Sequence, residues 1–116
     1  MTIVRYEAGN RSSQIVVHGD RAYLSGIVSS RAGVQSAAEQ TREILSVIDA
    51  HLTKVGSGRS NLLSANIWLA DIADFAAMNA VWEEWIPAGC APARATVQAT
   101  LVEPKYKVEI MVVAAL

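Results

Sequence analysis

Lys107-Val108-Glu109-Ile110-Met111-Val112-Val113-Ala114-Ala115 is the stretch on which the fold turns. Its β-branched run reads as a strand, and strand side chains alternate between two faces. Val108, Ile110, Val112 and Ala114 take one face, while Met111, Val113 and Ala115 take the other. A layer of helices covers only one side of a sheet, so the second apolar side needs its own cover. Another copy of the chain would supply it, and the expectation is a homo-oligomer.

The run before it is Ala91-Pro92-Ala93-Arg94-Ala95-Thr96-Val97. Ala93 to Thr100 and Lys107 to Ala115 read as the last two strands, joined by Leu101 to Tyr106 with Pro104 inside. They carry one arginine and one carboxylate in otherwise interior-like sequence. Removing an ion from water costs several kcal/mol unless it is paired or bound. Arg94 can grip a carboxylate through two parallel hydrogen bonds, so a small carboxylate-bearing ligand is one partner and Glu109 is the other. If the two strands form a symmetric hairpin, Glu109 lies opposite Gln98, about 13 Å along the strand from Arg94 at about 3.3 Å per residue. Ligand site and structural pair then stand evenly. Glu109, between Val108 and Ile110, suits orienting water or moving a proton near an electrophile. Its bland alternative is a solvated edge position beside Lys107.

Upstream, Gln14 to His18 and Arg21 to Ser25 flank the turn His18-Gly19-Asp20 and read as a hairpin. Ile3, Val4 and Tyr6 offer a first strand. From Val34 the period changes: Val34, Ala37, Ala38, Thr41, Ile44, Leu45, Ile48, Leu52 and Val55 make one helical stripe. Glu39, Gln40, Arg42, Glu43 and Asp49 lie largely off it, and Gly56 sits where a left-handed cap ends the helix. Leu62 to Ala70 reads as a strand with Ala65, Ile67 and Leu69 on one face. Asp71 is the expected N-cap of a second helix carrying Phe75, Met78, Trp82 and Trp85, and Pro87 stops it. The order predicts an α+β domain spanning residues 1–116, a mixed sheet with two helices packed on one face.

Composition narrows the function classes. Of 116 residues 52% are hydrophobic and 18% charged, with formal net charge −1. The isoelectric point is near 6.1. No basic stripe suits a phosphate backbone, so nucleic acid is a poor partner. The single cysteine, Cys90, has no partner for an internal disulfide and fits a reducing compartment. Neither a leader-like start nor an apolar run of membrane-crossing length is found, and the expected location is cytoplasmic. His18 and His51 are isolated, so no metal is expected. There is no P-loop and no dinucleotide fingerprint. Asn79, at the border of the aromatic stripe, reads first as a boundary residue, and Trp82 and Trp85 as core or interface.

Ala91–Val97 together with Lys107-Val108-Glu109-Ile110 resembles the Rid (reactive intermediate deaminase, YjgF-like) family, nearest its YoaB-like branch. Tyr23-Leu24-Ser25-Gly26, Asp74-Phe75-Ala76-Ala77-Met78-Asn79 and Val112-Val113-Ala114-Ala115 extend the resemblance nearly end to end. It implies a chorismate-mutase-like fold and a homotrimer with ligand clefts between subunits. It further implies hydrolysis of enamine or imine intermediates, such as 2-aminoacrylate, to a 2-oxo acid and ammonia, with no cofactor. By that resemblance Arg94 binds the substrate carboxylate and Glu109 positions water. Ser25 and Gly26 line the cleft, Asn79 stands near it, and Ala95 and Thr96 join the substrate contacts. Two positions depart from the family pattern. Arg11-Ser12-Ser13 stands where a cleft tyrosine is expected, and Thr96 where cysteine is common, which reads as retuned specificity or rate. The competing reading is a non-catalytic sensor of 2-oxo or other carboxylic acids in the same cleft. RNA cleavage, attached to some relatives, is disfavoured by the charge.

Overall fold

A computed structural model describes residues 1–116. Six strands form one sheet in the order β1-β2-β3-β6-β4-β5. The N-terminal part is a meander: β1 (Ile3–Ala8), β2 (Ser13–His18) and β3 (Arg21–Leu24) pair antiparallel. Gly19, with φ +63°, makes the β2–β3 turn in the left-handed region that side chains with a Cβ avoid. After α1 (Ala37–Lys54), β4 (Leu62–Leu69), α2 (Phe75–Trp85) and β5 (Ala93–Gln98) form a β-α-β unit whose strands run parallel. The chain then returns as β6 (Val108–Ala115), which lies between β3 and β4 and is antiparallel to both.

The expected hairpin of the last two strands is therefore not formed. β4 separates them, with Trp68 placed opposite both Val97 and Glu109. The reason is burial. Val108, Ile110, Val112 and Ala114 are each 0–1% exposed and match the buried Ala65, Ile67 and Leu69 of β4. The half-exposed β5 is left to the sheet edge. Twenty-one buried residues of the sheet and both helices make one hydrophobic cluster.

Ser36 and Glu39 start α1 with a reciprocal capping box, and Gly56 at φ +79° follows its C-terminus. Ile44, Leu45, Ile48 and Leu52 face the sheet, each contributing about 1.5–3 kcal/mol by leaving water. Two stripe assignments need correction. Val34 precedes the helix in a 3₁₀ turn and is 86% exposed. Gln40, expected off the stripe, is fully buried because its amide replaces missing backbone partners. Its Nε2 donates to the carbonyls of Ala32 and Lys105 at 3.1 Å each, and its Oε1 accepts the Lys107 N–H at 2.9 Å. That side chain pins the β5–β6 connection to α1. Asp71 also caps something smaller than expected. It accepts the Ala73 N–H at 2.9 Å over a 3₁₀ turn, Ile72–Asp74, and α2 begins directly after it.

Glu43 holds the segment after β3. It accepts from the Ser29 hydroxyl, from the Ser30 N–H at 2.6 Å and from Arg31 Nε at 3.0 Å. The Ser29 hydrogen bond, then Arg31 and then Ser30 lower its carboxyl from 4.5 to about 2. A carboxyl depressed on folding adds stability above its unfolded value and loses it as pH falls through its folded one. Glu43→Gln therefore unfolds at a lower temperature than the native chain at neutral pH, and the gap closes between pH 4.5 and about 2. Melting curves across that range check it; a gap independent of pH would remove the carboxylate from the account.

Candidate functional site

Arg94 lies on β5 in register with Ala65, and therefore faces the helices. On α2, Phe75, Asn79 and Trp82 follow at spacings of four and three and share one face. The Arg94 guanidinium carbon lies 6.0 Å from the Phe75 ring centre and 5.4 Å from that of Trp82. Such stacks hold the group by about 0.5–2 kcal/mol without using its hydrogen-bond donors. The chain's five ion pairs use Arg21, Arg31, Lys54, Arg59 and Lys105. Arg94 takes part in none of them. It is half-buried and stacked, and its guanidinium has no acceptor in the fold. Thr96 follows on the same face, and its buried hydroxyl has no partner; nor does the buried Oδ1 of Asn79. Gln98, next on that face, accepts the Ile72 N–H at 2.8 Å and fixes the entry to α2 against β5. Ala95 points the other way and is exposed at the sheet edge.

Glu109 stands on the opposite face, in register with Trp68. It occupies an interior strand, so the solvated-edge alternative does not hold. Trp68, Ala99, Thr100, Leu101 and Val102 complete with it a hollow of about 240 Å³. Paired backbone bonds between Ile27 and Ile110, at 2.9 and 3.1 Å, carry the chain at Gly26 past the Glu109 carboxylate. A Cβ at Gly26 would collide with Glu109 Oε2, so any larger residue there would displace the carboxylate. Ser25 is tied to β2: its N–H donates to the Gln14 carbonyl at 3.0 Å, and its hydroxyl to Gln14 Oε1 at 3.3 Å.

The seven residues named from sequence thus fall into two groups, with Ala95 on the Glu109 side at the edge. Arg94, Asn79 and Thr96 lie between sheet and α2; Ser25, Gly26 and Glu109 lie on the uncovered face. Two strand spacings and three residues put Arg94 and Glu109 about 14 Å apart through the sheet. The pairing of Arg94 with Glu109 within one chain is excluded by this arrangement. The uncovered face is apolar as the alternation predicts: Val16, Trp68, Met111 and Val113 are half-buried, and Tyr23 and Val97 are 41% and 51% exposed.

A second hollow, about 490 Å³, opens at the β1–β2 turn and is lined by Glu7, Gly9, Asn10, Arg11, Ser12 and Gln14. Gln14 was not singled out from sequence, although the alternation along β2 places it on the uncovered face with Val16. No three His, Cys, Asp or Glu side chains come together. Cys90 is half-buried and free.

The family model described as Endoribonuclease L-PSP matches residues 2–116. The chain belongs to this family. The RutC family protein YoaB of Escherichia coli strain K12 is 51% identical to this L-PSP chain over 115 residues, 99% of each. A solved L-PSP relative, NMB1025 of the YjgF family from Neisseria meningitidis, is 40% identical with TM-score 0.95, over 99% of this chain and 95% of that one. More distantly, 3-aminoacrylate deaminase RutC of Acinetobacter baylyi is 37% identical over 97 residues, 79% of this chain and 76% of its own. The six-stranded mixed α+β architecture is that of the L-PSP relatives. No helix is long and apolar enough to cross a membrane.

Proposed function

We propose that the chain is a cofactor-independent deaminase that hydrolyses 2-imino acids, and their enamine tautomers, in clefts between the subunits of a homotrimer. The observation that carries this reading is the unspent guanidinium of Arg94, set on the far side of the sheet from Glu109. Neither half makes a complete site alone. With one protomer's β5 edge laid against the uncovered face of its neighbour, Arg94, Asn79, Ala95 and Thr96 of one meet Ser25, Gly26 and Glu109 of the other.

The chemistry needs little more. Arg94 takes the substrate carboxylate in a bidentate grip and fixes the imine carbon. Glu109 accepts a proton as water adds to that carbon, and passes it to the nitrogen. The carbinolamine then collapses to a 2-oxo acid and ammonia, so one imine and one water give two products. The Acinetobacter relative's name supports the reaction class. Net charge −1, with half of the basic residues already ion-paired, gives no support to a polyanion groove.

Mixing tests the composite site. Arg94→Ala and Glu109→Gln chains, each inactive alone on imino acids made in situ by an amino-acid oxidase, are unfolded together and refolded. Random trimers then hold one intact cleft in about four, so about a quarter of native activity returns. No recovery from a mixture shown to contain mixed oligomers would place both residues in one chain's site or none.

A further inference from the structure

The hollow at the β1–β2 turn is large, polar and borders the Glu109 face. Arg11 in its wall forms no ion pair, since the chain's five use other bases. The one acid in that wall, Glu7, already has a partner of its own. At φ 50° it is the only non-glycine in the left-handed region, and its carboxylate meets Lys54 of α1 at 3.3 Å. Arg5 is also unpaired and lies on the uncovered face, opposite Val16 and two residues along β1 from Gln14's row. With Glu7 already engaged by Lys54, Arg11 is left without an acidic partner in this wall. Gln14 is the shared wall: it lines this hollow and binds Ser25, whose neighbour Gly26 touches Glu109. About two strand spacings, roughly 10 Å, separate Gln14 from Glu109. A four- or five-carbon ligand and an arginine side chain together cover that span.

Resting on the deaminase reading, we infer that this hollow is a second anion subsite and that Arg11 selects substrates with a terminal carboxylate. The preferred class is then the 2-imino dicarboxylic acids, with the corresponding 2-oxo dicarboxylic acids as products. The apolar hollow beside Trp68 and Val102 offers the contrasting choice, an uncharged side chain.

Calorimetry with 2-oxoglutarate and 2-oxopentanoate, matched in length and differing in the terminal carboxylate, decides between them. The native protein binds 2-oxoglutarate at least about tenfold more tightly, the worth of one charge-assisted contact. In Arg11→Gln that ratio falls to about one, and Arg11→Lys keeps part of it. Arg11 is on an exposed turn, so both variants fold; their melting temperatures verify this. Equal affinities in the native protein, tighter 2-oxopentanoate, or a ratio indifferent to Arg11 overturns the subsite while leaving the Arg94 clamp standing. Binding of neither compound overturns the clamp and the subsite together.

Discussion

Arg94→Ala lowers kcat/KM for 2-imino acids by at least about a hundredfold, because two charge-assisted bonds of about 1.5–3 kcal/mol each are lost together. The substrates are generated in place by an amino-acid oxidase, and disappearance of the imine is followed against the uncatalysed rate. Arg94→Lys recovers little, since an ammonium neither forks onto a carboxylate nor lies flat over Phe75 and Trp82 as the guanidinium does. Stability changes far less than activity. The side chain has no polar partner in the fold, so truncation forfeits only the stacking, about 0.5–2 kcal/mol. Turnover by Arg94→Ala within threefold of native would sink the clamp.

Glu109→Gln has the complementary signature. The amide keeps the carboxylate's shape against Gly26, so the strand and its neighbours are undisturbed. It cannot take up a proton, and kcat falls about 10²–10⁴-fold as expected for loss of a general base. KM for the imine, and the dissociation constant of a 2-oxo acid, change little because the carboxylate is held by Arg94. A loss that appeared wholly in KM would instead make Glu109 a binding group. Steady-state kinetics on the two variants side by side separate the roles.

Much of this was legible in the sequence because it is local. The stripe from Ala37 to Leu52, the Gly19 turn and the two-faced alternation of β6 each follow from spacing alone. Partner choice among strands was not. Leu101–Tyr106 is short enough for a hairpin, and nothing within the last two strands says that β4 intervenes. The available signal lay elsewhere. A helix between Leu62–Leu69 and Ala93–Gln98 is the crossover that parallel neighbours require. Gln40 was misplaced because a polar residue next to an apolar stripe looks solvated until its backbone partners, 65 and 67 residues away, are known. Arg94 and Glu109 were visible as charges in apolar strands. That they face opposite ways became visible only with the register, since each strand's alternation is silent about its neighbour's phase.

The β4-α2-β5 crossover has an evolutionary corollary. One unbroken stretch, residues 62–98, contains every group proposed to grasp the carboxylate beside the imine carbon, while the water-handling groups and the proposed second subsite at Arg11 come from segments on either side of it. Gene changes confined to that stretch would alter the grip on this carboxylate, and changes at the β1–β2 turn the choice of the substrate's far end, both without touching how the bond is broken. A fold partitioned in this way lets descendants exchange substrates in small, separable steps.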